Sequence, residues 1–583
     1  MDVKHMRKTI RSAFLISTGL LASLLIVACS SFGGRYSAYD GPQSAFGDYL
    51  AARYASSESD VNKAAAYFAS ALKKDPENTD LRHRTMLSAV FSGQVEKAVV
   101  QAKPILVDDP DNRLAVLIIA SNAISHGKYA EAELVLRDAK LGPLNQVASG
   151  LLHGWALHGQ GKTDEALLVL GDVAQAPVLG DLALFHRGLI LAQTGQTLAA
   201  DEALGLALGT GVLTSRTAYA LALIRMSSGE LDEAKVLVAQ RLDNNKREAE
   251  AIYLAAKLDE ASPPVAVFST INQGAAEALF GPAQVLAERS LYDLAVVYLE
   301  LALHLDPGHN ASKDLLAQLF ELQGRADDAL AMFAAIDPDS PQYLLAQLNM
   351  ANVLFRMERK EEALDHLRTL AETTPTLRVK RALANALQID KQYDAALVLY
   401  TEQIEAEADS ADWQLYFSRA VCLERTDRWR EAVPDFRKSL ELNPKQADVL
   451  NYLGYTFVNA GENLEEGFAL IRQAIELSPR AGYIVDSLGW GYYRLGRFED
   501  AVTELERAVM LEPGEPTINE HLGDTYWQVG RKLEAKYQWQ RVLTLEPDEE
   551  TDLEVIQAKI RQGLPAPEVK KLASDLSSDL TVE

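Results

Sequence analysis

Asn443-Pro444, Ser478-Pro479, Glu512-Pro513 and Glu546-Pro547 stand 35, 34 and 34 residues apart. A fixed period of this length constrains the fold more than any composition does. Every unit must be the same small supersecondary element, and each must bury its apolar face against its neighbours. Between the prolines lies one pattern. Leu453-Gly454, Leu488-Gly489 and Leu522-Gly523 are each followed, three residues after the glycine, by Phe457, Tyr492 and Tyr526. A second glycine comes next (Gly461, Gly496, Gly530), then a small residue (Gly467, Ala501, Ala535) and a large one (Ile471, Leu505, Trp539). The same register runs through the other end of the chain, in Gly93/Ala98, Gly127/Ala132/Leu136, Gly161/Ala166/Leu170, Gly195/Ala200/Leu204 and Gly229/Ala234. It fails after Asp259, through Ser262-Pro263-Pro264. It resumes at Ala295/Leu299/Ala302 and continues through Gly324/Ala329/Phe333, Ala363/Leu367 and Ala396/Tyr400.

The spacing predicts two helices per unit. Small residues allow the paired helices to cross closely, large residues fill the gap to the next unit, glycine permits the turn, and proline closes the second helix. This pattern resembles the tetratricopeptide (TPR) repeat from residue 45 to residue 548. The resemblance implies an all-α fold, a right-handed superhelical TPR solenoid of about 14 helix-turn-helix repeats. The expected organisation is an N-terminal array over 45–248, a degenerate repeat or hinge over 249–275, a middle array over 276–412 and a C-terminal array over 413–548. A capping helix and flexible tail are expected over 549–583.

The amino terminus reads as an address. Lys4, Arg7, Lys8 and Arg11 precede an apolar stretch, Ala13 to Val27, that ends in Ile26-Val27-Ala28-Cys29. This layout resembles a bacterial lipoprotein signal peptide over residues 1–28, and implies cleavage before Cys29, lipidation of its sulfur and a tether over 29–44. Ser30 after the cysteine implies the outer membrane, facing the periplasm.

Composition excludes more than it assigns. The 583-residue chain carries a formal charge of −25, and that field repels nucleic acid and anionic headgroups. With Cys29 assigned to lipid, Cys422 is a lone thiol on an apolar helix face and no intrachain disulfide is available. The stretch Ala156-Leu157-His158-Gly159-Gln160-Gly161-Lys162-Thr163 matches a permissive P-loop pattern, but a P-loop needs a preceding strand, and Gly161 falls at the turn of a repeat. The ten histidines are scattered and no Cys cluster could hold zinc. No metal, no cofactor and no nucleophile–base–acid set is expected, so the chain reads as a non-enzyme.

In a TPR superhelix the first helices line the concave groove. Counting along the last three units, the residues expected to face a partner are Asn451, Tyr455, Tyr483, Asp486, Trp490, Tyr493, Glu520, Asp524 and Trp527. Aromatics backed by hydrogen-bonding groups on rigid helices suit a protein ligand, and the three acids predict a negative groove. The lipobox together with Asp486-Ser487-Leu488-Gly489-Trp490 and Asn519-Glu520-His521-Leu522-Gly523-Asp524 resembles outer-membrane TPR lipoproteins. Some of these are adaptors that bring cell-wall hydrolases to periplasmic carboxy-terminal processing proteases. Others are structural components of envelope secretion, pilus or polysaccharide-export machines. The resemblance therefore implies an envelope-anchored protein-interaction scaffold in one of these two roles.

Overall fold

The computed structural model describes residues 44–137, 143–176, 179–211, 213–259, 268–546 and 551–565. The lipobox, Cys29 and most of the tether lie outside these residues, as does the tail beyond 565. Among the described residues there are thirty α-helices, one short 3-10 turn and no strand. Twenty-eight of the helices form fourteen hairpins of the expected kind; helices Ala249–Asp259 and Leu553–Gln562 stand single.

Local chemistry explains the hairpins. First helices open on polar caps, as where the Asn78, Asn112 and Asp412 side chains accept from the backbone N–H three residues on. The inter-helix turn needs one left-handed residue. Gly161 supplies it at φ +80°, and where the sequence offers no glycine Glu358 and Asp427 are held there at φ 60° and 59°. Those side chains carry a strain that glycine would not.

The Leu-Gly pair of each first helix sits at the crossing point. A Cβ on Gly489 or Gly523 would lie 2.6 Å from the Leu505 or Trp539 side chain. The large residue therefore covers the glycine of its own unit, rather than only filling the gap to the next. In the unit with the extra residue both partners are glycine. A Cβ on Gly454 would stand 2.7 Å from the Gly467 carbonyl oxygen, and one on Gly467 would stand 2.9 Å from the Gly454 oxygen.

The chain divides into two compact units, and the division is not the expected one. The first comprises residues 1–213 and 267–307, the second 214–266 and 308–583. Residues 276–412 are thus not one continuous middle array, because the hairpin Ile271–Glu288 and Tyr292–Leu305 belongs to the first unit. There it lies on the first helices of the preceding repeats. Helix 271–288 packs against 113–125, 143–159 and 182–193, and helix 292–305 against 79–91 and 113–125. The reason is a face of small residues. Gly274, Ala275, Ala278, Gly281 and Ala283 are all buried, and a Cβ on Gly274 would fall 2.1 Å from the Trp155 ring. Trp155 is pinned in turn by its indole N–H, which donates to His186 Nδ1 at 3.0 Å. Burial holds the His186 pKa down at about 4, so the ring is neutral and can accept. His304 completes the seat, its Nε2 lying 3.1 Å from Ser125 Oγ and Asn122 Oδ1.

In the second unit, helix 249–259, at the start of the stretch expected to be a degenerate repeat, is bonded to its neighbours. Its Glu250 accepts from Gln342 Nε2 at 3.0 Å and lies 3.8 Å from Arg216, and the Lys246 carbonyl just before it accepts from Arg378 at 3.4 Å. The bonds to Gln342 and Arg378 join segments of this unit that are far apart in sequence.

The crossing-point geometry sets a stability test. Gly454→Ala should destabilise by about 1–3 kcal/mol, because its methyl meets backbone that cannot rotate away. Gly205→Ala, in helix Thr197–Gly209 with nothing within 4 Å of the new Cβ, should stabilise by up to about 1 kcal/mol. Chemical unfolding followed by circular dichroism reads both; equal effects would overturn the close-crossing argument.

Candidate partner-binding site

The nine groove residues expected from sequence lie on helices Ala447–Ala460, Gly482–Arg494 and Pro516–Gln528. Successive first helices lie side by side, so a residue meets the one 35 positions on. Tyr483 Oη donates to Asp448 at 2.5 Å, Arg494 to Asn459 at 2.8 Å, and His521 Nδ1 lies 2.9 Å from Asp486. Gln528 reaches Tyr493 Oη at 3.5 Å. The face is a ladder of cross-repeat polar rungs.

The acids are consequently not a free negative surface. Asp486 pairs with His521 and is buried. Burial works against the His521 imidazolium, but the Asp486 carboxylate, with Asp524 and Glu520 nearby, holds its pKa above the ordinary 6.5. Glu520 and Asp524 both accept from Lys559 Nζ, at 2.5 and 2.7 Å. Burial disfavours the Lys559 ammonium too, yet Asp524 and Glu520 hold its pKa above the usual lysine value. Asp524 also accepts from the Trp539 indole at 2.9 Å.

Lys559 stands on the single helix 553–562, which occupies the place of a further first helix. Beyond its end, Leu564 O accepts from the Trp527 indole at 3.0 Å, and a Cβ on Gly563 would overlap the Trp527 ring at 1.8 Å. The cap therefore covers Glu520, Asp524 and part of Trp527, and Asn451 is buried among its own neighbours.

What stays accessible is aromatic. Trp490 is sandwiched between Tyr493, centroids 4.4 Å apart and 6° from parallel, and His521, at 3.8 Å and 12°. These three rings and Tyr455 are partly exposed, and Tyr483 is exposed at 44 %. Sequence counting found the rings and the acids but missed His521 and Lys559 as their partners. The signal was present, since Lys559 lies one ladder step, 35 residues, beyond Asp524.

The apparent P-loop is a repeat turn. Helix Pro143–Gly159 precedes it, Gly161 makes the left-handed bend, and Lys162 pairs with Glu133 at 3.0 Å. Cys422 is buried, and burial pushes its thiol up to about 12, far from thiolate chemistry at neutral pH. No cluster of His, Cys, Asp and Glu suited to a metal occurs among the described residues.

Comparison with known proteins agrees with this architecture. Residues 320–386 match one tetratricopeptide repeat model, and residues 423–481 and 487–549 match another. Those segments are tetratricopeptide repeats, and the chain has the fold of that repeat class. A TPR repeat-containing protein of Pseudomonas aeruginosa is 30% identical over 188 residues, which are 32% of this chain and 31% of the relative. The chain thus spans about a third of the length of the curated relative it matches. Among solved structures, a tetratricopeptide repeat protein from Parabacteroides merdae is 16% identical, covering 43% of this chain and 97% of its own, at a TM-score of 0.38. The Cut9-Hcn1 hetero-tetramer of the APC/C is 14% identical, over 89% of this chain and 96% of the other, at 0.36. A thermophilic TPR protein of Thermus thermophilus is 22% identical, over 32% and 99%, at 0.29.

Two outcomes follow from the ladder. His521 has a folded pKa above 6.5, so its pairing with Asp486 stabilises fully below pH 6.5 and is lost as pH rises through the raised value. Unfolding midpoints of the protein should fall across that window, and His521→Gln should flatten the fall. Lys559→Ala leaves two neighbouring acids without their cation, one of them buried, and should release the cap at a cost of about 3 kcal/mol. Hydrogen exchange of 551–565 should then accelerate and Trp527 emission shift to the red; an unchanged exchange pattern would show that the cap does not depend on this pair.

Proposed function

We propose that this chain is an envelope-anchored protein-interaction scaffold, an adaptor that holds a periplasmic carboxy-terminal processing protease together with cell-wall hydrolases. The observation that carries the reading is the partly exposed Tyr493–Trp490–His521 stack on rigid, mutually bonded helices. Interface energy concentrates in aromatic anchors of this kind, ringed by satisfied polar groups. The lipobox at Cys29 supports the anchor, and the resemblance to adaptor lipoproteins supports the partner class.

The test is cross-linking in intact cells from a probe at Tyr483, followed by identification of the captured proteins. A processing protease or a cell-wall hydrolase is expected, and Trp490→Ala should weaken the purified complex by about 2 kcal/mol without loss of helix content. Capture of secretion, pilus or polysaccharide-export components alone would replace the adaptor reading with that of a machine part. Cys29→Ala should move the protein from the membrane to the soluble fraction, and unchanged fractionation would remove the anchor from the proposal.

A further inference from the structure

A different part of the second unit presents the opposite charge. A cavity of about 640 Å³ opens on helices Tyr343–Arg356 and Leu377–Ile389, flanked by the turn that carries Lys246 and Arg247. Four cations line it, Lys246, Arg247, Arg378 and Arg381, against two carboxylates, Glu407 and Asp412. Both carboxylates are committed to Arg381, Asp412 at 2.7 Å and Glu407 at 3.2 Å. Lys246, Arg247 and Arg378 form no ion pair among the described residues. In a chain of net charge −25 a cluster of unpaired cations does not arise from composition.

Arg378 shows what the cluster lacks. Its side chain is half-buried and its Nη1 is fully enclosed without a hydrogen-bond partner, while the Arg381 Nε is likewise enclosed and unpartnered. With one N–H unbonded and no carboxylate beside it, the Arg378 guanidinium lacks a counter-charge that an anion at its accessible side would supply. Burial, together with the neighbouring Arg247, works against its charge. The rest of the lining suits a polypeptide rather than a small inorganic ion. Asn352 and Asn385 expose amide groups that can bond a peptide backbone, and Phe355 with the exposed Ile389 offers an apolar seat for a side chain. Asn385 is pre-set, because its Oδ1 accepts from Tyr400 Oη at 2.8 Å, which leaves its NH₂ to donate to a ligand.

We infer that the groove between residues 343 and 412, flanked by Lys246 and Arg247, binds an acidic peptide segment, whose carboxylates pair with Arg247 and Arg378 and whose apolar side chain rests on Phe355 and Ile389. The inference deepens the scaffold reading by naming the chemistry of one client. It stands apart from the Trp490 face, so either can fail without the other. Charge here orders specificity as well as affinity: a basic segment is repelled, and neutral segments lack a counter-charge for the enclosed guanidinium.

The test is calorimetric titration of the full chain with a short synthetic peptide of several Asp and Glu residues around one Phe. Its matched Asn/Gln version and inorganic phosphate are the comparison ligands. The acidic peptide should bind, weaken as salt is raised, and exceed the neutral version by at least about tenfold, the factor that one charge-assisted hydrogen bond of about 1.4 kcal/mol supplies. Arg247→Gln, at an exposed position, and Arg378→Gln should each lose about tenfold with an unchanged circular dichroism spectrum. If Arg378→Gln unfolds the protein, Arg247→Gln and Ile389→Asp decide the matter, since both lie on the surface. Equal affinity for acidic and neutral peptides, no effect of Arg247→Gln, or full competition by phosphate at the peptide's own affinity would overturn the assignment.

Discussion

The close crossing of paired helices is the interaction on which the rest of this structure depends. At Gly454 and Gly467 two backbones approach until neither position has room for a methyl group, and elsewhere Leu505 and Trp539 lie directly on the glycine of the facing helix. Burying so little width per unit leaves each hairpin with apolar surface on both flanks, so no unit is stable alone and stacking becomes obligatory. Stacking at a fixed period then places residues 35 apart in contact, which is why the first-helix face is a ladder of bonded pairs. The polar residues there are first of all structural, and recognition has to use what the ladder leaves over.

An array built this way has open faces to cover, and the chain does so with its own helices. The hairpin 271–305 lays its Gly- and Ala-rich side on Trp155 and the first helices of the N-terminal repeats, and the helix 553–562 sets Lys559 between Glu520 and Asp524. Both contacts demonstrate that first-helix faces of this protein accept a helix: one by small-residue packing around a neutral, buried histidine, the other by a cation between two acids. Among the described residues no such helix lies on the stretch over 343–389, whose Arg378 has no carboxylate partner.

Much of the fold was legible in the sequence, because helix pairing is local. The turn residues, the small residues at the crossings and the closing prolines recur at a spacing no other architecture would maintain, and the hairpins fall where that spacing puts them. What a hairpin stacks upon is not local. Ala295, Leu299 and Ala302 encode a good second helix, and Ser290 even takes the left-handed turn at φ 60°, so 271–305 reads as one more unit in line. Only the unusual run of Gly274, Ala275, Ala276 and Ala278 in its first helix distinguished a surface made for close burial on another face. The candidate site divides in the same way. Its rings and acids follow from counting along a helix. Their pairing with His521 and Lys559 follows from the contact between repeats, a step of 35 residues that has to be seen once before it can be read.

The positions where the ladder is incomplete are therefore the informative ones. Wherever a first-helix charge has a neighbour 35 residues away, as Asp486 has His521, the pair can be explained by the array itself and says little about ligands. Arg378 cannot be explained that way. Its enclosed N–H has no rung to join, the neighbouring Arg247 is of like sign, and the two acids that line the same cavity pair with Arg381. A structure whose repeats satisfy polar groups by periodic contact, and which leaves two guanidinium groups incompletely bonded in one cavity, has placed that cost where something outside the repeat can relieve it.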